Sequence, residues 1–323
     1  MVGLDTRRWS GSCYRDFKKN LLTKKKSIVL LHGLGAKAAH LQKTGQQLQA
    51  VLPRDIEIVS LTEPETASQS ITQQAARLKE ALLAKGIDRD SYELILLGHS
   101  QGGLRGYQFY QEFGEQFDIK GLITMGTPWE GVPTATITKE KVNAYLNSSA
   151  AYYFLGTVEY FWPSSRKLIL EFVDKFFDKF STHEPGVQDL VPNSMLLQQV
   201  ATILKDSQLP ILAIAGSGDD LKKILLTGTA YADYIRVLPS FILNPIYSVL
   251  ITGRIGERHD MAISVASQLA YNIPKNEHFS TYTVLDAIHA SPPDISISAD
   301  KVLYNHPEVL SKIVEFTKSL WEL

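Results

Sequence analysis

Tyr92–Gly103 reads YELILLGHSQGG, a nearly continuous apolar run that breaks at Gly98 into Ser100, with a glycine two residues away on either side. The run is too short for a membrane span and has the length of a buried strand. The residues beyond it, Gly102–Phe113, have helical spacing. A strand, a tight turn carrying Ser100 and then a helix make up a nucleophile elbow. Glycines at 98, 102 and 103 keep side chains from colliding where the serine is held in a strained conformation. A plain strand-to-helix turn does not require three glycines there. Ser100 is therefore read as a nucleophile, projecting above the carboxyl ends of the strands beside the positive end of a helix.

The same alternation extends in both directions. Ser27–Leu31, Ile56–Ser60 and Ile119–Met125 read as strands, and Pro210–Ala215 and Thr281–Leu285 continue the series. Helical patterns cover Ala38–Leu52, Thr66–Lys85 and Pro307–Trp321. Strands that are apolar throughout are covered on both faces. The expected fold is α/β: a doubly wound, mostly parallel sheet of about six strands, in a single domain spanning 1–323. Two insertions interrupt it, at about residues 132–208 and 221–258. The first is aromatic over 150–162 and then carries an apolar stripe (Leu168, Ile169, Phe172, Val173, Phe176, Phe177, Phe180) at helical spacing. That helix either packs on the core or forms a cap whose apolar face lines an acyl pocket or meets lipid.

Composition excludes several classes. The formal net charge is -1 over 323 residues, so no global field draws the chain to nucleic acid. Lys18-Lys19 and Lys24-Lys25-Lys26 read as a solvated lead-in. Cys13, a lone cysteine, makes no internal disulfide. The first residues lack a secretory pattern, and the nearest candidate for a membrane span, 237–252, is broken by Pro239 and Pro245 and by polar Ser240, Asn244 and Ser248. A cytoplasmic protein is the expectation. No HExxH, paired-cysteine or EF-hand pattern appears, the dinucleotide GxGxxG fingerprint is absent, and no cofactor is expected.

After the first strand, His32-Gly33-Leu34-Gly35 supplies a loop able to turn a backbone N–H inward. An acyl-transfer intermediate needs two such donors. Leu34 and Gln101, the residue after the serine, are the candidates for the oxyanion hole. His32 reads as an anchor of this loop, and His40, His183, His259 and His278 as surface or structural residues. For the base, His289 past the last strand competes with His306, which stands before Pro307 like a helix-start residue. For the acid, Asp260 competes with Asp219 and Asp220, which suit a helix cap.

With these residues in view, the sequence resembles the lipase branch of the α/β-hydrolases, and bacterial triacylglycerol lipases in particular. His32-Gly33-Leu34, Gly98-His99-Ser100-Gln101-Gly102 and the GTPxxG-like segment 126–131 carry the resemblance. Asp189-Leu190-Val191-Pro192-Asn193-Ser194 is similar to the DLxPxS element that ends the cap in such enzymes. The resemblance implies esterase or lipase chemistry through a Ser–acid–His triad, here Ser100, Asp260 and His289. At Asp260 the family pattern Asp-Gly-x-Val is broken by Met261. Some lipases of this branch carry a structural calcium, which the sequence leaves open. The expected partner is a small apolar acyl ester or lipid, with transient contact of the cap with a lipid interface. Thioesterase, phospholipase or lactonase chemistry on the same triad is the rival reading, and a non-catalytic binding protein a further one.

Overall fold

The computed structural model describes residues 24–61, 66–135, 183–218, 251–254, 256–290 and 297–323, together with Asn244 and Ser248. The aromatic segment 150–162, the helix expected over 166–180, most of the second insertion, and Asp219 and Asp220 lie outside the described residues.

Six strands, β1 (Lys25–Leu31), β2 (Ile56–Ser60), β3 (Tyr92–His99), β4 (Asp118–Met125), β5 (Ile211–Ser217) and β6 (Phe279–Leu285), form one sheet in the order β2-β1-β3-β4-β5-β6. Every pairing is parallel. The described helices are numbered α1 (Gln42–Val51), α2 (Ile71–Ala84), α3 (Gln101–Phe113), α4 (Pro185–Gln188), α5 (Met195–Ile203), α6 (Val265–Gln268) and α7 (Pro307–Trp321).

Strand alternation divides the core into two layers. Val29, Leu31, Leu94 and Leu96 pack with Ile71, Leu78 and Leu82 of α2 and Leu104 and Tyr107 of α3. Their neighbours Ile28, Leu30, Ile95 and Leu97 point the other way, onto Leu48 of α1 and Val309 and Ile313 of α7. Burial of each such aliphatic side chain contributes about 1.5–3 kcal/mol, so both faces have to be covered, which makes the sheet doubly wound.

Two helices begin later than their periodicity suggests. Ala38–Leu41 is a 3-10 turn leading into α1. The pattern expected from Thr66 becomes helix only at Ile71, because Ser70 caps it: its Oγ accepts from Gln73 N–H while Gln73 Oε1 accepts from Ser70 N–H. Asp189 Oδ2 accepts the Ile71 N–H at 2.6 Å, and burial raises its pKa. Ser194, at the end of the same DLVPNS element, caps α5 through Leu197 N–H. That element therefore caps two helices.

The strand order reverses between β1 and β3. In open α/β sheets the crevice outside the carboxyl ends of the strands at such a switch point is where ligands bind. In register, Leu31 lies beside Gly98 and His99 beside Met125. The loops after β1, β3 and β4 therefore leave the sheet together.

Candidate active site

Ser100 stands at the end of β3 with φ 56° and ψ -130°, a conformation that costs a non-glycine residue about 1–3 kcal/mol and persists only where its surroundings enforce it. Here they do. Its N–H donates to the Met125 carbonyl at 2.9 Å, and its own carbonyl accepts from Gly103 N–H at 3.1 Å and Thr127 Oγ1 at 2.9 Å. The first turn of α3 runs so close to β1 that a Cβ on Gly102 would lie 2.2 Å from the Leu31 carbonyl oxygen. The GTPxxG-like segment thus acts on the serine through Thr127.

The loop after β1 approaches Ser100 from the other side. A methyl group on Gly33 would lie 2.8 Å from Ser100 Cβ and 3.3 Å from its Oγ. Leu34 follows Gly33 directly in the chain, and Gln101, the other candidate donor, opens α3 next to the serine. The loop is fixed from beneath. His32 is buried, with Nδ1 3.1 Å from the Gly33 carbonyl. Thr66 Oγ1 accepts from Gly35 N–H and donates to the Gly33 carbonyl. Arg105, 1% exposed on α3, donates to the His32 carbonyl at 3.1 Å and to Gln74 Oε1 at 3.3 Å. Gln74 Nε2 in turn donates to the Thr66 and Gln69 carbonyls. Sequence reasoning missed Thr66 and Arg105. An arginine on the apolar face of GLRGYQF was the available signal for the second; Thr66 carried none. The Gln101 side chain donates to the Gly186 carbonyl at 2.8 Å, tying α4 to the residue after the serine.

Asp260 and His289 meet. Asp260 Oδ2 lies 2.7 Å from His289 Nδ1, and the carboxyl group is fully buried. Its Oδ1 accepts from Ala262 and Ile263 N–H at 3.0 and 2.8 Å. Because the carboxylate only accepts, Nδ1 carries the hydrogen, which leaves Nε2 as the bare nitrogen. The His289 ring lies against Gly126, whose Cβ would fall 2.9 Å from Nδ1. Gly126 directly follows Met125, the residue that holds the Ser100 N–H. Met261, where the resembling pattern has glycine, adopts φ 76°. The position is left-handed, as glycine would suggest, and a bulky side chain occupies it here.

His306 plays a different part. Its Nδ1 accepts from Glu308 N–H at 3.3 Å, capping α7 with Pro307 in the first turn, and burial lowers its pKa. His306→Ala is expected to lower the free energy of unfolding by about 1 kcal/mol, measured in urea. His40 receives the Lys37 N–H at the surface, and buried His259 receives the Met261 N–H. Among the described residues no group of three or more His, Cys, Asp or Glu is placed to hold a metal ion, and no helix is long and apolar enough to cross a membrane.

A parallel doubly wound sheet with a positive-φ serine between β3 and α3 is the α/β-hydrolase fold. Residues 27–163, somewhat less than half of the chain, match the family model described as palmitoyl protein thioesterase. Among solved structures, phospholipase PlaB from Legionella pneumophila aligns with 11% identity and a TM-score of 0.53, covering 91% of this chain and 64% of that one. Bacillus licheniformis lipase BlEst2 aligns with 14% identity over 92% of each chain (TM-score 0.48). The RedJ thioesterase of prodiginine biosynthesis from Streptomyces coelicolor aligns with 10% identity over 90% of each (TM-score 0.45). A search of curated proteins returned no match.

Proposed function

We propose that this chain is a serine hydrolase that cleaves carboxylic acyl esters through Ser100, His289 and Asp260. The observation that carries the reading is the Asp260–His289 pair, set against Gly126 immediately beyond the residue that grips Ser100. In this mechanism the bare His289 Nε2 takes the Ser100 hydroxyl proton as Oγ bonds to the acyl carbon. Asp260 keeps the ring in the required tautomer and stabilises the imidazolium. The carbonyl oxygen becomes an oxyanion, held by the Leu34 and Gln101 amides. Collapse expels the alcohol, which takes the proton from Nε2, and leaves an acyl-serine. Water, deprotonated by the same nitrogen, then releases the acid.

The oxyanion assignment predicts a particular weakness. With the space beside Ser100 Cβ filled, Gly33→Ala pushes the 33–34 backbone away from the serine. It is expected to reduce kcat by roughly 10²-fold, the scale on which loss of one oxyanion donor acts, with KM little changed. A Gly33→Ala variant as fast as wild type removes Leu34 from the oxyanion hole. His306→Ala, in contrast, is expected to keep ester hydrolysis within about twofold of wild type, since a cap at this position takes no part in triad chemistry.

A second reading, an acyl thioesterase, is favoured by the match of residues 27–163 to the palmitoyl protein thioesterase model. The chemistry differs only in the leaving group: a thiol, with pKa about 8.5, needs far less protonation to depart than an alcohol. Both readings call for an apolar acyl chain, in keeping with the aromatic composition of 150–162. The test compares kcat/KM for p-nitrophenyl esters from acetate to palmitate with that for thioesters of the same acyl groups. Preference for esters at matched chain length supports the first reading, and a preference for thioesters the second. Hydrolysis of neither by folded protein contradicts both.

A further inference from the structure

His99 ends β3 directly before Ser100, and the chemistry above makes no use of its imidazole. The side chain is buried, 6% exposed. Its Nε2 lies 2.9 Å from the carbonyl oxygen of His289. The two rings are 4.7 Å apart between centroids, and Tyr304 meets the His99 ring edge-on at 4.8 Å. A carbonyl oxygen only accepts, so His99 Nε2 carries the hydrogen of that bond.

The opposite side of His289 belongs to Asp260. The His289 N–H donates to the Asp260 carbonyl at 2.7 Å, and its ring Nδ1 to the carboxylate. Asp260 therefore fixes the residue at its amide and its ring, while the carbonyl, whose peptide plane leads away into residue 290, is held by His99. We propose that His99 is a positioning residue for His289: by holding the carbonyl of the base's own peptide, it confines the imidazole to the orientation in which Nε2 faces Ser100. This rests on the reading of His289 as the general base.

The clamp works with an uncharged ring. Burial, and after it the like charge of His289, holds His99 protonation well below the usual histidine range; His40 and His32 act in the same direction. When His289 becomes imidazolium during the reaction, no second cation faces it across 4.7 Å. An aromatic ring of the right size satisfies the packing, but only a donor satisfies the carbonyl. That separates a positioning role from mere space filling.

Three variants test this with p-nitrophenyl ester turnover and the rate of fluorophosphonate labelling at Ser100. His99→Phe keeps the ring and removes the donor; His99→Gln restores an amide donor of similar reach; His289→Ala removes the base. Losing the donor is expected to lower kcat and the labelling rate together by about 10–100-fold, as loss of near-attack geometry does. KM should stay within about twofold, and glutamine should recover most of the loss. Should the phenylalanine variant fail to fold, His99→Asn, whose amide stops short of the carbonyl, replaces it against glutamine. A donor-free variant that turns over at the wild-type rate, or a glutamine variant as slow as it, overturns the inference while His289→Ala stays inactive. Activity persisting in His289→Ala overturns the catalytic reading itself.

Discussion

Asp260→Asn is expected to leave a folded protein whose kcat has fallen about 10⁴-fold, the size of effect seen when a triad carboxylate becomes an amide. The reason lies in the two oxygens of Asp260. Oδ1 accepts two backbone N–H groups, from Ala262 and Ile263. An asparagine keeps those bonds only by placing its carbonyl oxygen there, which turns its NH₂ toward His289 Nδ1. That nitrogen then has to accept, the ring proton moves to Nε2, and Nε2 loses the lone pair that takes the Ser100 proton. The substrate site is untouched, so KM should change little. Steady-state kinetics on an activated ester, with circular dichroism to confirm the fold, checks this. A decrease of less than tenfold would make Asp260 a scaffold for the 260–263 turn and reopen the choice of Asp219 and Asp220 as the acid.

Ser100→Ala carries the larger effect. Removing the nucleophile of a triad costs on the order of 10⁶-fold in kcat. The strained elbow should survive the change. It is held through backbone and Thr127 contacts, from Met125 and Gly103, none of which involves the serine Oγ. The alanine inherits φ 56° and its cost, so the unfolding midpoint should shift little. Hydrolysis followed in Ser100→Ala with a thermal melt alongside tests both halves. Residual turnover above the uncatalysed rate would assign the chemistry elsewhere.

The sheet was legible in the sequence because its strands are buried on both faces and read as unbroken apolar runs. The elbow was legible because a strained serine requires small neighbours, and glycines mark them. Asp260 was harder. The glycine expected after it is missing, yet Met261 takes up the left-handed conformation that glycine would have served, so the local geometry is kept while its sequence mark is lost. His289 read as a residue past the last strand and His306 as a helix-start residue, both near the ends of elements. In the structure His306 caps α7, and His289 has a carboxylate partner. Thr66 lay hidden inside an apparent helix, because Ser70 and Asp189, the latter more than a hundred residues away, together set where α2 begins. Arg105 and His99 act on carbonyl groups of residues distant in the chain. Backbone carbonyls have no side-chain signature, so such contacts leave no pattern for spacing or composition to reveal.

Everything proposed for this chain depends on Ser100 being an activated nucleophile. The direct experiment is reaction of the full chain with a fluorophosphonate, with peptide mapping of the product. A covalent adduct is expected on Ser100, absent from Ser100→Ala and formed much more slowly in Asp260→Asn. Folded wild-type protein that forms no adduct at Ser100 would contradict the proposed function and leave a hydrolase fold that binds without cleaving.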